Sequence, residues 1–151
     1  MSKINSLKQY IILTRLNQPI GFLLLMFPCI WGILAACNNI NDLNNNLFLI
    51  VLLMFGSVIM RSAGCVINDI FDRNYDKKVS RTILRPLAKG TISVSNAFIC
   101  FAFLSLLGLS ILLSLDKLSI IIGLVSFILL LIYPLMKRIT YWPQLVLGIT
   151  F

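Results

Sequence analysis

The sequence predicts an all-α fold: a polytopic transmembrane helical bundle with four complete spans and the start of a fifth, its N-terminus in the cytoplasm. Three observations predict it. Of 151 residues, 59% are apolar and only 12% charged, with a mean hydropathy of +0.96. A soluble domain carries roughly a quarter charged residues. Residues 16–41, 43–60, 90–115 and 118–136 contain no Asp, Glu, Lys or Arg. Each stretch reaches the roughly 18–20 residues that a hydrocarbon core of about 30 Å requires. A barrel would instead alternate over segments of about ten residues. Finally, if the chain crosses four times, twelve of its thirteen basic residues lie on one face and Lys117 alone on the other. The positive-inside rule assigns the basic face to the cytoplasm.

The elements follow in order. Residues 1–15 set Ile4, Leu7, Tyr10, Ile11 and Ile12 against Lys3, Lys8 and Gln9, the pattern of an interfacial amphipathic helix. The first apolar run is too long for a signal-peptide h-region and has no small-residue cleavage site. It stays as span one, at about 18–37. Pro19 suits a first helical turn, and Pro28 should kink the span. Span two covers about 46–68 and continues as helix through Asp76. Its block Ser62-Ala63-Gly64-Cys65 allows a neighbouring helix to approach closely. Residues 77–92 form a basic connection in which Pro86 and Gly90 break any long helix. Ser93 or Ser95 caps span three, at about 94–115. Span four, at about 118–136, ends at Tyr133-Pro134, before Lys137 and Arg138. Tyr141-Trp142 read as an interfacial aromatic belt, and a fifth span begins near 143. The whole of 1–151 reads as the N-terminal half of a single domain.

A net charge of +8 raises the question of nucleic acid. The placement of the charges at span ends argues against it and for anionic membrane lipid. Histidine is absent and no CxxC occurs, which excludes zinc or haem held on His. Cys29, Cys37, Cys65 and Cys100 are scattered through apolar runs and read as small packing residues.

The chemistry concentrates at the end of span two. Three of the five acidic residues, Asp69, Asp72 and Asp76, follow Asn68 there. Ionisable groups at such a depth are costly and mark functional sites. On a helix, with Asn68 at 0°, Asp72 falls near 40°, Asp76 near 80° and Asp69 near 100°. All four share about a quarter of the circumference. A carboxylate stripe with so few cations in it calls for a metal. Hard oxygen donors suit Mg²⁺, which keeps several waters and takes one or two carboxylates plus substrate phosphates.

Asn68-Asp69-x-x-Asp72-x-x-x-Asp76 resembles the first aspartate-rich motif of the UbiA superfamily of intramembrane aromatic prenyltransferases. The likeness extends to Arg61-Ser62-Ala63-Gly64-Cys65-Val66-Ile67, Arg81-Thr82, Arg85-Pro86-Leu87 and Gly90. It also takes in Pro19-Ile20-Gly21, Tyr133-Pro134-Leu135-Met136-Lys137-Arg138 and Pro143-Gln144-Leu145-Val146-Leu147-Gly148. These flanks are similar to the 4-hydroxybenzoate polyprenyltransferase branch. The resemblance implies transfer of a polyprenyl group from polyprenyl diphosphate to 4-hydroxybenzoate in ubiquinone biosynthesis. It implies a bacterial inner-membrane enzyme with its active site toward the cytoplasm. Asn68, Asp72 and Asp76 would hold Mg²⁺ against the diphosphate, and Asp69 would orient its neighbours. Arg138 would contact substrate or diphosphate. Lys77, Arg81, Arg85 and Lys89 would contribute to binding from a loop that covers the diphosphate. Arg61 lies seven residues before Asn68, near 20° on the same wheel and about 10 Å deeper. That angle puts it on the inner cavity wall, facing anionic substrate or the stripe.

Two departures bear on this. Members of the family carry a second acidic motif, Asp-x-x-x-Asp, in their second half, and no carboxylate follows Asp116 here. The sequence therefore resembles the first half of the enzyme. It is expected to be inactive alone, or to work with a separately encoded C-terminal half. Asn17-Gln18 also stands where relatives tend to have Asp-Lys, which puts a substrate-binding role for that entry segment in doubt. Three further readings remain at this point: a menaquinone, haem or chlorophyll branch of the superfamily, a small cation-binding membrane protein, and a non-catalytic fragment.

Overall fold

The long uncharged run and the acidic stripe fall on one continuous helix, and the rest of the chain packs around it. The structure is a computed structural model that describes residues 3–139 and positions 142, 144, 145 and 148. The fifth span expected from about 143 lies otherwise outside the described residues, as do Tyr141 and the side chains of Lys137 and Arg138. The described helices are α1 (Lys3–Leu13), α2 (Ile20–Ala36), α3 (Ile40–Asn45), α4 (Leu47–Asp76), α5 (Pro86–Lys89), α6 (Val94–Leu112) and α7 (Lys117–Ile139). No strand occurs among the described residues. Among the described residues, three helices are long and apolar enough to cross a membrane: Leu47–Asp76, Val94–Leu112 and Lys117–Met136. At 17 residues, α2 is shorter.

Local chemistry explains most of the boundaries. The 30 residues of α4 contain no proline and run without interruption to Asp76, where Thr82 Oγ1 donates to the Asp76 carbonyl at 3.1 Å. Pro86 occupies the first turn of α5, and Gly90 follows it at φ 78°, a left-handed conformation that glycine adopts without a Cβ penalty. Of the two serines that could cap α6, Ser93 does so, its Oγ accepting from the Asn96 amide at 3.1 Å. Asp116 caps α7, accepting from the amides of Leu118 and Ser119 at 3.0 and 3.2 Å. The Ser119 hydroxyl beside it holds the Asp116 carboxyl below its ordinary value.

Several boundaries differ from the sequence reading: α2 runs Ile20–Ala36 rather than 18–37, and α6 ends at Leu112 rather than 115. α7 does not stop at Pro134; it carries through to Ile139 with the proline inside. A proline removes a single helical N–H, and within packed apolar surroundings a helix tolerates that loss. Pro134 is fully buried.

α4 is the hub. α6 packs along it most extensively, then α2, then α7. The close approach uses small residues: Ser57, Ser62, Ala63 and Cys65 are buried on α4. Both serine hydroxyls are satisfied within the helix, donating to the Leu53 and Val58 carbonyls at 2.8 Å, so they can face a neighbour at little cost. Gly108 of α6 meets Met60 directly, leaving no room for a Cβ.

The buried core gathers at the basic end of the bundle. Leu13 of α1, Ala63, Val66 and Ile67 of α4, Leu87 of α5, and Ala97 and Phe101 of α6 form one cluster with Ile92. α1 thus docks its apolar face on α4 and α5, and Thr91 Oγ1 donates to Gln9 Oε1 at 2.9 Å beside it. The opposite ends of α2, α6 and α7 expose large apolar side chains such as Trp31, Phe103 and Ile121. In a lipid-facing protein such exposure is expected.

Candidate active site

A cavity of about 1310 Å³ runs along one side of α4, closed by side chains of α2, α6 and α7. It has two chemically distinct ends. At the basic end Arg15, Arg61, Asn68, Asp72, Asp76, Arg81 and Arg85 line it. Towards the other end the lining is apolar, with Leu25, Leu53, Leu112, Leu115 and Leu124. The α4 residues that line it extend from Leu53 to Asp76, about 35 Å along the axis by helix rise.

The helical stripe supplies three of these seven residues. Asn68, Asp72 and Asp76 line the cavity. Asp69 does not; it is 2% exposed and faces away, toward the turn after α1. Wheel angle alone could not separate it from Asp76. What separates them is height, because Asp69 sits two turns deeper, where α1 and α5 cover the helix.

An ion network joins the two groups. Arg15 Nη2 lies 2.8 Å from Asp69 Oδ1. A single nitrogen of Arg85, Nη1, lies 3.3 Å from Asp69 Oδ1 and 2.8 Å from Asp76 Oδ2. The two arginines keep about a quarter of their side-chain surface, while the carboxylates are almost covered. Arg15 adopts φ 55°, a conformation uncommon for a residue with a Cβ. That turn swings the chain from α1 into α2 and aims the guanidinium at Asp69. Arg15 is the residue that sequence reasoning missed. Its signal was available: it is the one charge between an amphipathic helix and a proline-started apolar run.

The other expected site residues divide. Arg61 and Arg81 line the cavity, whereas Lys77 and Lys89 are exposed and lie off its lining. The side chain of Arg138 lies outside the described residues. Gly21 explains its own place in the Pro19-Ile20-Gly21 segment. A Cβ there would stand 2.6 Å from Arg61 Nε, so glycine makes room for the guanidinium between α2 and α4. Gly21→Val is expected to push Arg61 out of the cavity while leaving the helical bundle intact. Circular dichroism should be unchanged, and binding of an anionic ligand should weaken roughly tenfold, the loss of one charged hydrogen bond.

The donor set at the polar end is oxygen only: the carboxylates of Asp72 and Asp76 and the carboxamide of Asn68. Among the described residues no three His, Cys, Asp or Glu side chains close on one point, so these residues build no complete cage. Magnesium does not need one; it takes one or two carboxylates and completes its shell with water and phosphate. The residues fit that ion.

The model of the UbiA prenyltransferase family matches residues 25–151, and the chain belongs to that family. It is 48% identical over 145 residues to the mitochondrial 4-hydroxybenzoate polyprenyltransferase of Bos taurus, covering 96% of this chain and 38% of that protein. The Homo sapiens protein of the same name is 46% identical over the same length and shares. The 4-hydroxybenzoate octaprenyltransferase of Coxiella burnetii (strain CbuK_Q154) is 41% identical over 142 residues, 94% of this chain and 48% of that one. The chain thus spans 38% to 48% of the length of these curated relatives, along their N-terminal portion. No solved structure matches the chain.

Proposed function

We propose that this chain supplies the N-terminal half of a 4-hydroxybenzoate polyprenyltransferase, which moves a polyprenyl group from its diphosphate to the aromatic acid in ubiquinone synthesis. The observation that carries the reading is the cavity: charged oxygen and guanidinium groups at one end, a long apolar remainder at the other. An isoprenoid diphosphate has the same division. The relatives' names supply the acceptor.

In the full reading, residues 1–151 form the N-terminal half of one prenyltransferase domain, with spans at about 18–37, 46–68, 94–115 and 118–136 and a fifth from about 143. The N-terminus and the active site face the cytoplasm of a bacterial inner membrane. The one-sided placement of basic residues supports that orientation. The part of the relatives that lies beyond the matched portion would complete the cavity and bring the second acidic motif.

The chemistry then follows from the residues. Asn68, Asp72 and Asp76 would hold Mg²⁺, which supplies charge neutralisation to the departing diphosphate. Arg81 and Arg85 at the rim, with Arg138, donate N–H groups to the same oxygens. The allylic C–O bond breaks with both electrons passing to the diphosphate. The apolar walls keep water from the allylic cation, and the faces of Tyr75 and Tyr133, which line the cavity, stabilise such charge. The ring carbon ortho to the phenol hydroxyl donates an electron pair to the cation, and transfer of the ring proton to the departed diphosphate restores aromaticity. Arg61, on the inner wall, is placed to receive an anionic group of the substrate.

The test is an assay of 4-hydroxybenzoate prenylation by the purified chain in detergent, alone and with the C-terminal remainder of the Coxiella relative. Turnover is expected only in the second case. Turnover by the chain alone would overturn the need for a second half. Prenylation of haem B but not of 4-hydroxybenzoate would overturn the acceptor.

A further inference from the structure

Two carboxylates share one guanidinium nitrogen here, and they are not equivalent. Asp69 is 2% exposed, lies off the cavity, and already holds Arg15 at 2.8 Å. Asp76 lines the cavity. Arg85 Nη1 is nearer to Asp76, at 2.8 Å, than to Asp69, at 3.3 Å. The strongest grip of Arg85 is therefore on the carboxylate that a ligand can reach.

The backbone beneath Arg85 is fixed. It is extended at φ −61° and ψ 143°, the conformation imposed by a following proline. Pro86 is fully buried and Leu87 is 1% exposed. The guanidinium, about a quarter exposed, is the part that can move. Without it, Asp76 would lose the ion pair that Arg85 makes at 2.8 Å, while Asp69 would keep Arg15.

We propose that Arg85 is a displaceable counter-charge: it neutralises Asp76 in the ligand-free site, yields that carboxylate to a divalent cation arriving with a diphosphate, and is retained at the rim by Asp69 to donate to the diphosphate oxygens. The proposal rests on the prenyl-diphosphate reading of the cavity. It makes Asp69 a positioning residue, an anchor that never leaves its arginines. The contrasting role for Arg85 is a static staple between α4 and the 77–93 connection. The two roles predict opposite signs. Removing a staple loosens the site and weakens cation binding. Removing a competitor frees Asp76 and strengthens it.

The experiment titrates Mn²⁺ by electron paramagnetic resonance into the chain in detergent, with and without farnesyl thiodiphosphate. The proteins are the unaltered chain, Arg85→Gln and Arg85→Lys. Arg85→Gln leaves Asp69 paired to Arg15, so the fold has its inner anchor. It is expected to bind Mn²⁺ alone roughly fivefold more tightly, the upper range of a partly exposed ion pair, and to gain less from the thiodiphosphate. Arg85→Lys restores both behaviours toward those of the unaltered chain. Unchanged or weaker Mn²⁺ binding by Arg85→Gln overturns the proposal, as does a failure of that variant to fold, since only a staple is required for folding. If the thiodiphosphate fails to enhance Mn²⁺ binding to the unaltered chain, the functional reading falls and the proposal with it. Enhancement in the unaltered chain without a rise in Arg85→Gln sinks the proposal alone.

Discussion

Changing Asp72 and Asp76 together to asparagine is expected to lower prenyl transfer by about 10³-fold or more, measured with the chain joined to the C-terminal remainder of the Coxiella relative at saturating magnesium. The magnitude follows from what the proposed transfer asks of the site. Ionisation of an allylic diphosphate is a charge-separation problem, and removal of one group that stabilises developing charge costs about 10²–10³-fold in such sites. Both residues line the polar end of the cavity, and asparagine preserves their shape while removing two negative charges. The fold should survive, because the partner released from Asp76 still has Asp69 within 3.3 Å. The thermal midpoint should therefore move little while turnover collapses. Undiminished magnesium-dependent turnover in the double variant would overturn the assignment of the stripe. The pair is more informative than Asp76→Asn alone, which also frees Arg85 and mixes two effects.

The parts of this protein that could be read from its sequence are those fixed by local periodicity. Uncharged runs of membrane length became α4, α6 and α7 because a helix is the open-chain way to satisfy backbone groups away from water. The continuation of α4 to Asp76 was legible for the same reason, and so was the shared face of Asn68, Asp72 and Asp76. Long-range pairing was not legible. Asp69 sits only about 20° from Asp76 on a wheel, yet it is closed off by α1 and α5, elements separated from it by 54 and 16 residues at Arg15 and Arg85. No periodic signal reports which turn of a helix a distant segment will cover. Pro134 failed as a stop signal for a related reason. The tendency of proline to end helices is learned in water, and it weakens where apolar packing surrounds the chain. Arg61 was legible from its angle, but the reason it can lie there is Gly21, forty residues earlier on another helix.

The second large effect concerns stability and isolates Asp69. Its carboxylate is covered, while Arg15 and Arg85 keep 25% and 28% of their side-chain surface. The three groups should therefore respond unequally to loss. Arg15→Gln or Arg85→Gln alone leaves Asp69 one guanidinium and should cost about 1 kcal/mol or less, as for a partly exposed ion pair. Asp69→Asn leaves two cations that water can still reach, and should cost about 2 kcal/mol, less than the loss of a fully buried partner. Arg15→Gln with Arg85→Gln leaves a covered carboxylate without any cation, and should cost about 3–5 kcal/mol. That is more than the sum of the single changes. Unfolding of the four variants in mixed micelles, read by circular dichroism against denaturing detergent, gives the double-mutant cycle. A coupling larger than about 1 kcal/mol between Arg15 and Arg85 is expected although the two touch only through Asp69. Additive single changes would mean that water, not the arginines, solvates Asp69, and the network would then be a consequence of the fold rather than one of its supports.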